Sequence, residues 1–445
     1  MSVFLVPIRS VRRKKNHDHT LTTASSLRGT VQVPGDKSIS HRAVMFGALA
    51  EGDTHITGFL MGEDCLSTIS CFRSMGIDID VSDAEVVVHG AGLHGLKAPS
   101  ELLYTGNSGT TTRLLCGILA GQPFTSTLNG DASIQKRPMG RIIKPLRLMG
   151  ADIDGRDGNL CPLTVKPAQL HGIRYDMPVA SAQLKSSILL AGLFADGKTT
   201  VIEPAASRDH TERMLRGLGA QVESNGTEIT LTPPETLHAV DVDVPGDISS
   251  AAYFLVAGLI LPDSDITIRN VGINPTRTGI LDALEAMGAE IQRLNERGTV
   301  EPVCDLRVRS SKLHGTVISG DLIPRLIDEL PVLAVAAAFA EGETIIRDAQ
   351  ELKVKESNRI AAMTAELSRT GADVVETEDG MLIHGGKPLH GAAFTSYADH
   401  RIAMSMAVCA LACEGDSSID DPACVAISYP TFFETLDSLK GDGTR

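Results

Sequence analysis

The string Val33-Pro34-Gly35-Asp36-Lys37-Ser38 returns as Val244-Pro245-Gly246-Asp247-Ile248-Ser249, 211 residues further on. In each copy a β-type run stops at Pro-Gly-Asp and a long apolar helical pattern follows. Pro and Gly interrupt a strand, and Asp or Ser can cap the helix that comes next. A strand feeding a helix start twice, half a chain apart, predicts two similar halves joined through two crossings. Only the first copy carries Lys37 and, five residues on, Arg42. The architecture is duplicated; the chemistry is not.

A shorter period lies under the twofold one. Met75-Gly76-Ile77, Met149-Gly150-Ala151, Leu218-Gly219-Ala220, Met287-Gly288-Ala289 and Thr370-Gly371-Ala372 each end an amphipathic helical pattern and precede an alternating segment. Their glycines are 74, 69, 69 and 83 residues apart. Gly suits a left-handed helix C-cap, and alternation suits a half-exposed strand. Between these signatures lie Ala50-Glu51-Gly52, Ala195-Asp196-Gly197, Ala340-Glu341-Gly342 and Cys413-Glu414-Gly415, where nearly all-apolar helices end. A helix apolar around its circumference is expected in the interior. Strand, buried helix, strand, amphipathic helix and further strands make a unit of roughly 70 residues. Six such units fit the chain, three in each half, giving an α/β fold with mixed strand pairing.

A chain of 445 residues is too long for one core, so two domains are expected. A net charge of −14, aromatics at only 4% and no Trp oppose nucleic acid or an anionic membrane as the main partner. The eight cysteines include no Cys-x-x-Cys pair and sit mostly in apolar runs, so they are expected as buried thiols in a reducing cytoplasm, not as zinc ligands. The basic cluster Arg12-Arg13-Lys14-Lys15 has no apolar stretch behind it, so it is read as a frayed tail rather than a secretory signal.

Most of the helical patterns begin in polar, often basic, clusters. These are Lys37-Ser38-Ile39-Ser40-His41-Arg42, Gly106-Asn107-Ser108-Gly109-Thr110-Thr111-Thr112-Arg113, Ser181-Ala182-Gln183, Asp328-Glu329 and Asp399-His400-Arg401. The amphipathic helices add Ser207-Arg208-Asp209-His210 and Lys355-Glu356-Ser357-Asn358-Arg359, and Arg137-Pro138 follows a Gly-Asp-Ala-Ser loop. Helix N-termini expose free N–H groups and a positive dipole end, so they receive anions. Arg adds bidentate geometry for phosphate or carboxylate. Lys37, Arg42, Arg113, Arg137, Arg208, Lys355, Arg359 and Arg401 supply eight cations at such points. Eight is too many for one phosphate; it suits two small ligands that each carry a phosphate and a carboxylate.

Pro34-Gly-Asp-Lys-Ser-Ile-Ser-His-Arg42, Gly106-Asn-Ser-Gly-Thr-Thr-Thr-Arg113, Lys136-Arg-Pro-Met-Gly140, Val354-Lys-Glu-Ser-Asn-Arg359 and Asp399-His-Arg401 together resemble the 5-enolpyruvylshikimate-3-phosphate synthase family, from about Leu27 to the C-terminus. Ser181 to Ser186 and Ser207 to Glu212 resemble its bacterial second class, which has glyphosate-tolerant members. The resemblance implies two domains, each of three βαβαββ units, in the enolpyruvyl transferase fold (an inside-out α/β barrel). It implies that residues 1–35 join 247–445 in one domain, with 36–246 as the other and hinges near 34–36 and 245–247. It further implies transfer of the enolpyruvyl group of phosphoenolpyruvate to the 5-hydroxyl of shikimate 3-phosphate, with no metal or other cofactor, in a cytoplasmic monomer.

By the same resemblance Lys37, Asn107, Gly109, Thr110, Arg137, Lys355, Glu356, Arg359 and Arg401 surround phosphoenolpyruvate. Lys37, Ser38, Arg42, Ser181, Ala182, Gln183, Arg208, Asp328 and Lys355 surround shikimate 3-phosphate, and Arg113 orders the Gly106 loop. The acid–base candidates are Asp328 and Glu356, with Lys37 for charge stabilisation and proton transfer. Two positions depart from the family pattern. Ile427 stands where many relatives have Lys, and Gly109 where tolerant second-class members often have Ala, which predicts inhibition by glyphosate. Alternatives are UDP-N-acetylglucosamine enolpyruvyl transferase, whose loop Cys has no counterpart between Gly130 and Arg137, a silent anion-binding relative, and a relative of RNA 3′-phosphate cyclase, which the charge disfavours.

Overall fold

The computed structural model describes residues 18–83, 85–298 and 300–441. The basic cluster at positions 12–15 lies outside the described residues. Twelve α-helices occur among those described: α1 (Lys37–Leu49), α2 (Glu63–Ser74), α3 (Gly109–Ala120), α4 (Gly140–Leu148), α5 (Ala182–Gly192), α6 (His210–Gly217), α7 (Ile248–Ile260), α8 (Gly279–Ala286), α9 (Leu330–Phe339), α10 (Arg359–Arg369), α11 (His400–Ala412) and α12 (Phe432–Ser438). The apolar odd-numbered helices are buried almost all round, as their composition predicts. Helices α2, α4, α6, α8 and α10 bury one face only. The glycines at 76, 150, 219, 288 and 371 all adopt positive φ, between 86° and 100°, just beyond helix ends. That conformation costs Gly no Cβ clash, which is why the same residue recurs there.

Five four-stranded sheets and one three-stranded sheet carry the helices. The second unit shows the pattern: Leu103–Tyr104 pairs in parallel with Ser126–Asn129, and Leu160–Lys166 and Asp152–Arg156 follow antiparallel. At the crossings the edge strands are exchanged. Arg28–Gln32, which leads into α1, pairs in parallel with Asp265–Gly272 of the later half. Val242–Asp243, near α7, pairs in parallel with Glu51–Thr57 of the earlier one. The three-stranded sheet is finished by His19–Leu21, antiparallel to Ser417–Ile419.

The two crossings lie side by side. Asp36 N–H donates to Pro245 O at 2.7 Å, and Asp247 N–H to Pro34 O at 2.9 Å. A Cβ on Gly35 would fall 1.9 Å from the Gly58 carbonyl oxygen, so only Gly allows the close approach. Two separate hydrophobic cores flank this point. One gathers side chains from Ile39 to Val244, the other from Leu21 to Val33 and from Ile248 to Leu439.

Candidate active site

Six helix starts turn toward the gap between the two cores, and their caps fix how. Asp36 Oδ1 accepts from Ile39 N–H at 2.9 Å and Asp247 Oδ1 from Ser249 N–H at 2.9 Å. Ser108, Ser181, Asn358 and Asp399 cap α3, α5, α10 and α11 in the same manner. Each such cap is worth about 1 kcal/mol to its helix. Capping by a short side chain leaves the next residues free to project into the gap.

One cavity collects the predicted groups. From the earlier half it is lined by Lys37, Ser38, Arg42, Gly109, Thr110, Arg137, Ala182, Gln183 and Arg208, and from the later half by Asp328, Lys355, Glu356, Arg359 and Arg401. Arg113 lines it too; its guanidinium lies against Gly109 of the Gly106 loop, and its Nη1 donates to Gln183 Oε1 at 2.5 Å. Gln183 Nε2 in turn donates to Thr110 at 3.0 Å. Two predicted residues stand off the cavity. Asn107 lies behind it, accepting from Arg137 Nη2 at 2.6 Å. Ser181 borders the adjoining outer cleft and caps α5. Ile427 is buried at the end of the 3₁₀ turn Pro422–Ile427 and does not line the cavity.

The helix-start reading needs one correction. Arg359 and Arg401 occupy first turns, whereas Arg42 and Arg113 fall in the second turns of α1 and α3. The dipole penalty on those two cations is correspondingly small, because it fades beyond the first turn. Asp328 and Glu356 also precede their helices, in the 3₁₀ turn Ile327–Glu329 and just after the turn Gln350–Val354.

The acids hold the cations together. Asp328 meets Arg208 at 2.6 Å, Arg359 at 3.2 Å and Lys355 at 3.4 Å. Glu356 meets Arg359 at 2.5 Å and Arg137 at 3.9 Å, and Arg359 also reaches the cap Asp399 at 2.8 Å. Burial pushes the Asp328 carboxyl up, but Lys355, Arg208, Arg401 and Arg359 override it and hold it well below the usual range. Burial likewise opposes ionisation of Glu356, and the cations Arg359, Arg137 and Lys37 overcome it. Burial disfavours the Lys37 ammonium, yet Asp64, 3.0 Å away, and Glu356 raise its pKa overall. For Lys355 burial prevails over Asp328 and the pKa falls.

Asp64 and Arg277, which no motif marks, also line the cavity, as do Asp247, Ser249 and His400, which lie in the motifs without an assigned ligand. Asp64 lies in the first turn of α2, and Arg277 stands two residues before α8. His400 stands beside Arg401 in the Asp-His-Arg string; burial and its cationic neighbours keep it neutral. Neither of its ring nitrogens has a partner, and Arg401 Nη1 is buried without one. Buried donors left open toward a cavity call for a ligand. Among the described residues, no group of three or more His, Cys, Asp or Glu is arranged to hold a metal ion. Cys65, beside Lys37, is buried with its thiol pushed well up by that burial.

Repeated α/β units whose helix starts deliver cations and two acids to one gap define a two-lobed enzyme for small polyanions. A family model described as EPSP synthase (3-phosphoshikimate 1-carboxyvinyltransferase) matches residues 21–436. The chain is 57% identical over 415 residues to the 3-phosphoshikimate 1-carboxyvinyltransferase of a Thermoanaerobacter species, covering 93% of this chain and 98% of that protein. It is 57% identical over 422 residues to that of Geobacillus thermodenitrificans, covering 94% and 98%. The solved EPSP synthase of Acinetobacter baumannii superposes with a TM-score of 0.85 at 48% identity, covering 95% of this chain and 97% of the other. The chain belongs to the EPSP synthase family.

Proposed function

We propose that the cleft moves the enolpyruvyl (1-carboxyvinyl) group of phosphoenolpyruvate to the 5-hydroxyl of shikimate 3-phosphate and releases phosphate. This is the family's step in the shikimate pathway to aromatic amino acids. The observation that carries the reading is charge. Nine Lys and Arg side chains line the cavity against four carboxylates, in a chain of net charge −14. A phosphate and a carboxylate give each substrate about three negative charges at neutral pH. An excess of five positive charges suits both molecules held together and exceeds what one alone needs.

The residue roles follow from that charge. Arg208, Lys355 and Arg359 now neutralise Asp328. Anionic substrate groups would compete for these cations and raise the basicity of Asp328, which then accepts the 5-hydroxyl proton. Glu356, with Lys37 held as an ammonium beside it, exchanges the proton at the alkene CH₂. Oxygen adds to the enol carbon, a tetrahedral adduct forms, and its C–O bond to phosphate breaks as the methyl returns a proton. Arg137, Arg359 and Arg401 are assigned to phosphoenolpyruvate with Gly109 and Thr110, and Asn107 supports Arg137. Ser38, Arg42, Ala182, Gln183 and Arg208 are assigned to shikimate 3-phosphate with Ser181 at the rim. Arg42 already donates to Ser38 O, Ser186 and Thr211, so its part is to set Ser38 as much as to bind.

The two cores support a division into 36–246 and 1–35 with 247–445, closing about the crossings. Ion pairs already span that division at Arg141–Glu351 (2.9 Å) and Arg208–Asp328 (2.6 Å), as does the His210–Glu301 hydrogen bond (2.7 Å). No helix among the described residues is long and apolar enough to cross a membrane, and we place the enzyme in the cytoplasm as a monomer. Glyphosate is expected to compete with phosphoenolpyruvate beside Gly109; millimolar insensitivity would reject that. Phosphate release assayed with and without shikimate 3-phosphate tests the function. Release should require both substrates, and none above background with both present would overturn the reading.

A further inference from the structure

The segment between the strand Asp265–Gly272 and α8 is a short loop held by its own bonds. Asn274 Oδ1 accepts from Thr276 N–H at 2.9 Å, and Asn274 O from Arg277 N–H at 2.8 Å. Both Asn274 and Arg277 are buried. The loop belongs to the later half, yet it grips three separate stretches of chain, and each of those stretches carries a residue assigned above to the reaction.

Arg277 lies between the two crossings. Its Nη1 donates to Asp36 Oδ2 at 2.7 Å, and its Nη2 to Asp247 Oδ1 at 3.1 Å and Ser249 Oγ at 2.8 Å. Asp36 immediately precedes Lys37, and Lys37 N–H itself donates to Asp247 Oδ2 at 3.1 Å. The same Nη2 stands 3.9 Å from Glu329, the chain neighbour of Asp328. Asn274 Nδ2 donates to Asp209, the neighbour of Arg208, at 2.7 Å, across the gap between the cores. Arg325, three residues before Asp328, donates to Pro275 O at 2.9 Å. Lys37 and Arg208 are therefore each one residue away from a group bonded to this loop, and Asp328 is three residues from Arg325, which is bonded to it.

We propose that Arg277 is a positioning residue for the transfer, locking the two crossings together so that Lys37, Asp328 and Arg208 meet in register. This rests on the function assigned above and adds a residue to it. The geometry explains why Arg is used. Two carboxylates on two strands of chain need two diverging N–H donors in one plane, which a single ammonium cannot offer. Burial pushes Asp36 up, and Arg277, with help from His210, the Ile39 N–H and Arg208, outweighs this and holds the carboxyl at about 2. The caps of α1 and α7 thus share one guanidinium.

The test uses the full-length enzyme with Arg277→Lys and Arg277→Ala. Arg277→Lys should lower kcat by about tenfold to hundredfold while each KM stays within about threefold, since a displacement near 1 Å suffices for such a loss. Millimolar guanidinium should restore kcat to Arg277→Ala, and equal NaCl should not. Wild-type kcat in Arg277→Lys, or recovery by NaCl as readily as by guanidinium, would overturn the proposal. Should Arg277→Ala fail to fold, Arg277→Lys still decides. Spin labels at Glu223→Cys and Glu376→Cys, one beside each core, give a readout free of the reaction. Arg277→Lys should broaden the distance distribution between them, and an unchanged distribution would also overturn it. If the wild type does not turn over the two substrates, the assigned function fails, and the label distances still judge the lock.

Discussion

Asp36 and Asp247 cap α1 and α7 alike and share the Arg277 guanidinium, yet the residues after them part ways. Lys37 keeps part of its side chain open to the cleft and pairs with Asp64, whereas Ile248 is sealed in the core. The same asymmetry runs through the halves. Both send cations into the gap, but Asp328 and Glu356, the acids paired there with cations of both halves, come from the later half alone. The helix starts are laid out alike in the two halves, whereas the charged groups they deliver to the gap differ in kind.

The comparison can be broken most forcefully at the acids. Asp328→Asn should still bind both substrates while turnover falls by about 10²–10⁴-fold, the usual range for a positioned base. Near-normal turnover in a phosphate-release assay would show that the later half contributes no base. Next is Lys37→Ile, which copies the second crossing into the first. Loss of a charge aimed at the reacting centre should lower kcat/KM by about 10²-fold or more. The reciprocal Ile248→Lys should gain nothing in rate and lower the thermal midpoint by burying an unpaired ammonium.

A smaller effect is expected at Gly109. A Cβ there would meet Arg113 Nη1 at 3.1 Å and Arg137 Nη1 at 3.2 Å, closer than nearly all such contacts. Gly109→Ala should crowd Arg137 by about 1 kcal/mol, roughly a fivefold rise in the phosphoenolpyruvate KM, with weaker glyphosate inhibition. Binding of shikimate 3-phosphate should hardly change. An equal loss for both substrates would place Gly109 in a shared wall instead.

The smallest effect is symmetrical between the halves. His41 in α1 and His400 in α11 are both buried, and burial and nearby cations depress both pKa values well below 6.5. The unfolded chain therefore takes up protons near pH 6.5 that the folded one refuses. Their contribution to stability is complete above that pH and shrinks as the pH falls below it. Thermal midpoints should drop between pH 7 and pH 5, and His41→Asn and His400→Asn should each flatten part of that slope. A flat wild-type profile would discard the idea.

Much of the site was legible because helix starts can be read locally. Lys37, Gly109, Arg137, Arg208, Asp328, Lys355, Glu356, Arg359 and Arg401 all lie near polar openings of apolar patterns, and all line one cavity. What stayed hidden depends on neighbours distant in sequence. Arg277 stands in a loop with no signature of its own, and its partners are 241 and 30 positions away. Asp64 opens a modest amphipathic helix and matters only because Lys37 comes to rest beside it. Arg113 lies beside the Gly106 loop, but its hydrogen-bond partner Gln183 is 70 residues off. Conversely, Asn107 and Ser181 share the strings of the site yet serve behind it or at its rim.

Periodicity, caps and apolar runs are properties of short stretches, so the chain alone determined the six units, the buried helices, the glycine stops and the twofold echo at Pro-Gly-Asp. The strand partners and register of Arg28–Gln32 and Val242–Asp243, and the pairing of each charge, were settled only in three dimensions. Coulomb attraction and burial depend on distance through space, and no stretch of chain records what will fold against it.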